Sequence, residues 1–175
     1  MTKPHLDKVA FTAIMGALMF NLGTSNAHAE TGAVRPVKSP SSSITQMRVY
    51  KSPTCGCCSD WVVHMQKANF SVAPENVDDT VTVKNKFGIP PRYRSCHTAV
   101  SHDGYVFEGH IPAKYIRQFM KEKPEGAAGL AVPAMPVGSP GMEVDSKFQP
   151  YQVLMLMKDG EPKVYATVNT YQSQF

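Results

Sequence analysis

Three of the four cysteines of this chain fall within Cys55-Gly56-Cys57-Cys58, and the fourth, Cys96, stands alone. A stabilising disulfide framework spreads its cysteines, because stabilisation grows with the length of loop each bridge closes. This chain concentrates them instead, between a short apolar run ending at Tyr50 and a helical pattern. From Cys58 the apolar residues Cys58, Trp61, Val62 and Met65 recur at i, i+3, i+4 and i+7, the stripe of a helix packed on a core. The sulfurs therefore sit at a helix N-terminus, where the helix dipole favours thiolate over thiol. Clustered thiolates bind soft metals or exchange disulfides.

The rest of the chain reads as an alternation of strands and helices. Met47 to Tyr50 predicts a first strand, and Lys51-Ser52-Pro53-Thr54 turns it toward the cysteines. Phe70 to Val77 predicts a second strand, and Asp78-Asp79 caps a short helix that runs through Phe87 and stops at Gly88. A hairpin follows, His97 to Ser101 and Tyr105 to Gly109, turning at Asp103-Gly104. Pro112 opens a helix whose face carries Tyr115, Ile116, Phe119 and Met120, and Pro124 ends it. This order, β-α-β-α-β-β-α with cysteines between the first strand and first helix, is the thioredoxin-like α/β arrangement. Two additions follow: a Pro/Gly-rich loop from Gly129 to Glu143, and a C-terminal hairpin of Tyr151 to Met157 and Lys163 to Val168 turning at Lys158-Asp159-Gly160-Glu161.

Residues 1–29 read as a cleavable signal peptide. Lys3 and Lys8 give a positive start, Val9 to Leu22 is apolar, and Ala27-His28-Ala29 is an A-x-A cleavage site. The apolar stretch is 14 residues long, short of the roughly 20 that a spanning helix needs. The expected mature protein is exported to a periplasm and not inserted in the membrane after cleavage. Residues 30–45, rich in Ser, Pro and Thr, read as a flexible linker to one domain over 46–170. Removing Lys3, Lys8 and Asp7 from 18 basic and 14 acidic residues leaves 16 and 13, a net of +3. The basic residues form no run, so nucleic acid is not an expected partner.

Four separated segments, YKSPTCGCCSDWVVHM, SCHTA, EGHIPA and AVPAMPVGSPGME, resemble in this order the CopG-type copper-resistance proteins, periplasmic proteins unrelated to the plasmid repressor of the same name. The resemblance spans Met47 to Val168. It implies a thioredoxin-like fold, a cysteine-bridged copper site and a role beside copper efflux. Carried over residue by residue, it makes Cys55, Cys57, Cys58 and Cys96 the copper ligands.

The residues themselves support a metal reading. Cys55 and Cys58 have CxxC spacing, and Cys57 is surplus to any two-sulfur exchanger. Cys57 and Cys58 are adjacent on a helix, so their sulfurs diverge by about 100° and suit different, bridged ions. Soft thiolates select Cu(I), with Zn(II) the main competitor. A Cys55–Cys58 disulfide with spare thiols, and four inert buried cysteines, are the alternatives. Cys96 precedes a strand that begins beside the first helix N-terminus in this fold, which makes it the candidate fourth ligand.

Histidines sort by geometry. His110 ends the strand returning antiparallel to the one after Cys96. It faces His97 if the turn holds Asp103-Gly104 alone, and Cys96 if the turn is one residue longer. It reads equally as a ligand or as a cap for the following helix. His97 carries less weight, since successive strand residues point to opposite faces. His64 lies about 10 Å along the helix from Cys57 and reads as a non-ligand. His102 reads as a solvated turn residue. Met135 and Met142 could fold over the site, though packing accounts for them as well, and Met155 and Met157 read as core. The expected function is a copper-binding protein holding Cu(I) in a multi-thiolate, polynuclear site, for sequestration, redox conversion or hand-off to efflux components or a periplasmic copper carrier. The alternative is a periplasmic thiol-disulfide oxidoreductase using Cys55 and Cys58.

Overall fold

The computed structural model describes residues 46–175; the expected signal peptide and the linker lie outside the described residues. Seven strands and three helices follow the order β1 (Gln46–Lys51), α1 (Gly56–Lys67), β2 (Ser71–Asn76), α2 (Thr80–Lys86), β3 (Thr98–Ser101), β4 (Val106–Glu108), α3 (Ala113–Glu122), β5 (Ala127–Ala131), β6 (Tyr151–Met157) and β7 (Lys163–Val168). The strands form one mixed sheet in the order β2-β1-β3-β4-β5-β6-β7. Among the described residues, no helix is long and apolar enough to cross a membrane.

Local chemistry explains the elements. The stripe Cys58, Trp61, Val62 and Met65 is buried along α1. Asp79 caps α2 by accepting hydrogen bonds from the Val81 and Thr82 amides, which satisfies donors that a helix start leaves open. In α3 the residues Ala113, Tyr115, Ile116 and Phe119 face inward. Lys123 then takes a left-handed conformation before Pro124, which cannot continue a helix. Trp61, Met65, Phe107, Ile116, Phe119 and Leu130 are among the largest fully buried side chains of a core between the helices and the sheet.

One element departs from the expectation. The segment expected to begin a loop at Gly129 instead forms the end of β5, parallel to β4 on one side and antiparallel to β6 on the other. Its sequence, Ala-Ala-Gly-Leu-Ala, has little of the β-branched character that marks strands. Gly129 is required there: a Cβ would stand 1.7 Å from the Val106 carbonyl oxygen, and φ is +154°. Through β5 the C-terminal hairpin extends the central sheet. The packing runs on past Val168 into a short 3-10 turn, Tyr171–Gln174, whose buried Gln174 accepts from Tyr151 Oη (2.6 Å) and donates to the Gly138 carbonyl (2.9 Å).

The strand order brings two chain segments to one end of the sheet. β1 runs toward the cysteine turn, and β3, its antiparallel neighbour, starts beside that turn. The β3/β4 register pairs Thr98 with Glu108 and Ala99 with Phe107. Continued outward, it sets Cys96 opposite His110, the longer-turn alternative.

Candidate metal centre

Cys55 is the N-cap of α1, and Cys57 and Cys58 lie in its first turn. The four cysteine sulfurs lie within 4.8 Å of one another. Cys55 Sγ stands 3.5 Å from Cys57 Sγ. Cys55 and Cys58 are joined in a disulfide, leaving Cys57 and Cys96 as free thiols, both half-buried. The structure thus combines the four-sulfur cluster with the CxxC disulfide, two arrangements that the spacing left open.

Cys96 is held from several sides. Ser95 Oγ bonds the Ala134 carbonyl, and the Ala134 amide donates to the Arg94 carbonyl (3.2 Å). Beneath them lies a buried ion pair that leaves no trace in the sequence pattern. Lys84 Nζ meets Glu108 Oε1 at 2.7 Å, with side chains 4% and 0% exposed. The same carboxylate accepts from the Ser95 amide (2.6 Å) and from Thr98 Oγ1 (2.6 Å), so both of its oxygens are engaged. A buried charge left without its partner is costly. Lys84→Met should therefore cost about 3–5 kcal/mol, whereas Lys84→Met with Glu108→Leu should recover most of that loss. Urea unfolding of the single and double variants checks this; equal losses would mean that the pair is not coupled.

His110 is fully buried. Its Nδ1 lies 2.7 Å from the Pro140 carbonyl oxygen, an acceptor only, so Nδ1 carries the proton and Nε2 is the free lone pair. That Nε2 stands 2.9 Å from Cys96 Sγ. Metal-binding imidazoles characteristically have one nitrogen fixed by a carbonyl and the other free. Burial holds the His110 ring below its ordinary pKa, against the raising effect of Pro140. Burial, and then Cys57 nearby, push the Cys96 thiol up to about 12. Metal loading at Cys96 must therefore displace a proton.

The proline-rich loop closes over this end of α1. Gly141 packs where a Cβ would lie 2.5 Å from the Cys57 carbonyl and 2.7 Å from the Trp61 amide, and its φ is +83°. Only glycine lets the loop approach so closely. Met135 is 49% exposed, which does not fit core packing. Trp61 donates its indole N–H to the Ile111 carbonyl (2.9 Å) and stacks its ring 4.4 Å from His97.

His97 corrects the expectation drawn from strand alternation. It is fully buried, and its Nδ1 lies 3.5 Å from Cys96 Sγ. Cys96 precedes β3, where the alternation that would separate neighbouring side chains does not apply.

His64 stays apart from both donor clusters. It accepts the Ala113 amide at Nε2 (3.0 Å), capping the first turn of α3 from α1. Burial, then Lys67, lower its pKa to about 4. The folded value lies below the unfolded value of about 6.5. His64 therefore stabilises the fold above about pH 6.5, and that contribution is lost as pH falls toward 4. His64→Gln, which can still accept the amide, should lose less stability than the parent across that window. Because the ring is only partly buried, the difference should stay well below the roughly 3 kcal/mol of a fully buried shift. Thermal unfolding at pH 7 and pH 4.5 checks it; parallel losses would show that His64 is not the titrating group.

A separate cleft of about 490 Å³, lined by Gln46, Arg48, Tyr50, Ser71 and His102, contains none of the cysteines.

Comparison with known proteins follows the same residues. The family model described as "Protein of unknown function, DUF411" matches residues 93–142, the stretch with Cys96, His97, His110 and the proline-rich loop. A comparison with curated proteins gives no match. The solved structure of copper resistance protein CopG in its form 1 is 39% identical, covering 71% of this chain and 97% of that one, with a TM-score of 0.67. Form 2 is 38% identical, covering 71% and 98%, with a TM-score of 0.68. Relatives of that name and a cluster of four cysteines fit copper binding. At that identity, over nearly the whole of the related chain, this protein belongs to the CopG copper-resistance family.

Proposed function

We propose that this chain is an exported periplasmic protein that binds copper as Cu(I) in a multi-thiolate, polynuclear site. Cys55, Cys57, Cys58, Cys96 and His110 are its ligands, and it contributes to copper resistance by sequestration, redox conversion or hand-off to efflux components or a periplasmic carrier. The observation that carries this is the convergence of all four sulfurs within 4.8 Å, with His110 Nε2 at 2.9 Å from one of them. The order β1-α1-β2-α2-β3-β4-α3, with β2-β1-β3-β4 side by side, supports a thioredoxin-like reading of the core. Copper is cargo here. An external dithiol reductant, itself oxidised to a disulfide, delivers two electrons and two protons to the Cys55–Cys58 bond and frees two thiols; loading all four cysteines then releases their protons as copper–sulfur bonds form. The Pro140 carbonyl orients His110, Glu108 fixes the Ser95–Cys96 segment, and the proline-rich loop limits water at the helix start.

A second reading, a thiol-disulfide oxidoreductase, is favoured by one observation, the disulfide between Cys55 and Cys58.

Anaerobic Cu(I) titration of the reduced chain against a competing chelator tests the proposal. The parent should hold copper tightly. His110→Ala should weaken loading by at least the roughly 10–100-fold typical of disturbing a metal-site partner. His64→Ala should leave loading near the parent's, with circular dichroism as the folding control. The reverse ranking would remove His110 from the site, and no retention by the parent would contradict copper binding.

A further inference from the structure

Cys96, His97 and His110 form a second donor cluster that shares only Cys96 with the sulfur group. Their donor atoms all lie within 4.8 Å of one another. Cys96 Sγ is 2.9 Å from His110 Nε2 and 3.5 Å from His97 Nδ1, and the two ring centroids are 4.9 Å apart at nearly a right angle. Donors around one tetrahedral ion with zinc-like bond lengths stand about 3.4–3.6 Å apart, so small adjustments would let one ion meet all three.

His97 joins the cluster through Nδ1 and not through its other ring nitrogen. Among the described residues, its Nε2 is the buried side-chain nitrogen or oxygen that makes no hydrogen bond. That nitrogen is not the one facing Cys96, so it would carry the ring's proton when Nδ1 meets an ion. Stacking on Trp61 alone would be served by an apolar ring. What an imidazole adds at this position is Nδ1, which faces Cys96. His110 is fixed for the same purpose by its bond to Pro140.

The donor set differs in kind from the sulfur cluster. Two imidazoles and one thiolate suit a borderline divalent ion. Such an ion bound there would leave a local charge of only +1. None of the three donors belongs to the Cys55–Cys58 disulfide. We propose that Cys96, His97 and His110 form a mixed sulfur–nitrogen site for a borderline divalent cation, Cu(II) or Zn(II), which stays competent while Cys55 and Cys58 are joined. The centre then has two overlapping halves: an all-sulfur half open only when that bond is reduced, and a Cys-His-His half available in either state. This extends the proposed copper function, and rests on it only where the ion is Cu(II).

The test uses the disulfide-bonded chain carrying Cys57→Ser, so that Cys96 is the only free thiol. Titration with Co(II), a redox-inert probe, should give one bound ion per chain with sulfur-to-cobalt charge transfer and intense visible bands of a four-coordinate site. His97→Gln should weaken it about tenfold or more, and Cys96→Ser should abolish the charge-transfer band. Displacement of Co(II) by Zn(II), or a strong sulfur-to-copper absorption on adding Cu(II), identifies the preferred ion. Should His97→Gln fail to fold, nitrogen NMR of the histidine rings in the parent decides: Zn(II) should shift His97 Nδ1 and His110 Nε2 together. Absence of Co(II) binding in the disulfide form, full binding in folded His97→Gln, or an unshifted His97 ring would overturn the inference. Cu(I) loading of the reduced chain, measured separately, would stand or fall independently.

Discussion

Cys57→Ser will cost this protein its copper about as severely as Cys55→Ser. A two-sulfur exchanger has no use for Cys57, which lies outside the Cys55–Cys58 bond. A thiolate cluster does, because Cys57 Sγ sits 3.5 Å from Cys55 Sγ and within 4.8 Å of the other sulfurs. Serine keeps the size and the helix start but replaces a soft donor with a hard one, which Cu(I) disfavours. Both variants should lose copper affinity by more than the roughly 10–100-fold seen when only a ligand's partner is changed. Anaerobic titration against a Cu(I) chelator reads both. If Cys57→Ser retains the parent's capacity while Cys55→Ser does not, the dithiol-exchange reading gains the ground.

Much of this was legible in the chain, and its physics says which parts. The α1 stripe from Cys58 to Met65 carries helical periodicity, so its burial follows from sequence, and the hairpin of Tyr151–Met157 with Lys163–Val168 is marked by its turn residues. β5 does not: Ala and Gly hold no strand signal, and the segment is a strand only because β4 and β6 flank it. The pairing of Cys96 with His110 depended on a single turn residue, an uncertainty that pattern alone does not resolve. Strand alternation does not govern His97, which lies one residue before β3 begins. Lys84 and Glu108 gave no warning at all. In sequence they look like surface charges, and only the fold shows them clasped beneath Ser95.

The second large effect concerns stoichiometry: the reduced site should take more than one copper per chain. Four thiolates around a single Cu(I) would carry a net charge of −3, which is costly to remove from water even in part. The surroundings make this worse, since Cys58 is fully buried and burial already pushes the Cys96 thiol up to about 12. Bridging each sulfur between two Cu(I) ions brings the assembly toward neutrality. The geometry supports bridging: four sulfurs within 4.8 Å of one another, with those of Cys57 and Cys58 on adjacent residues of the first helical turn. His110 adds a neutral donor at the Cys96 corner without adding negative charge.

Metal analysis and X-ray absorption on the anaerobically reduced, copper-saturated chain test this centre most directly. The account predicts more than one copper per chain, sulfur-dominated coordination and copper–copper scattering. A saturating stoichiometry of one copper per chain without copper–copper scattering, or no retained copper, would contradict it.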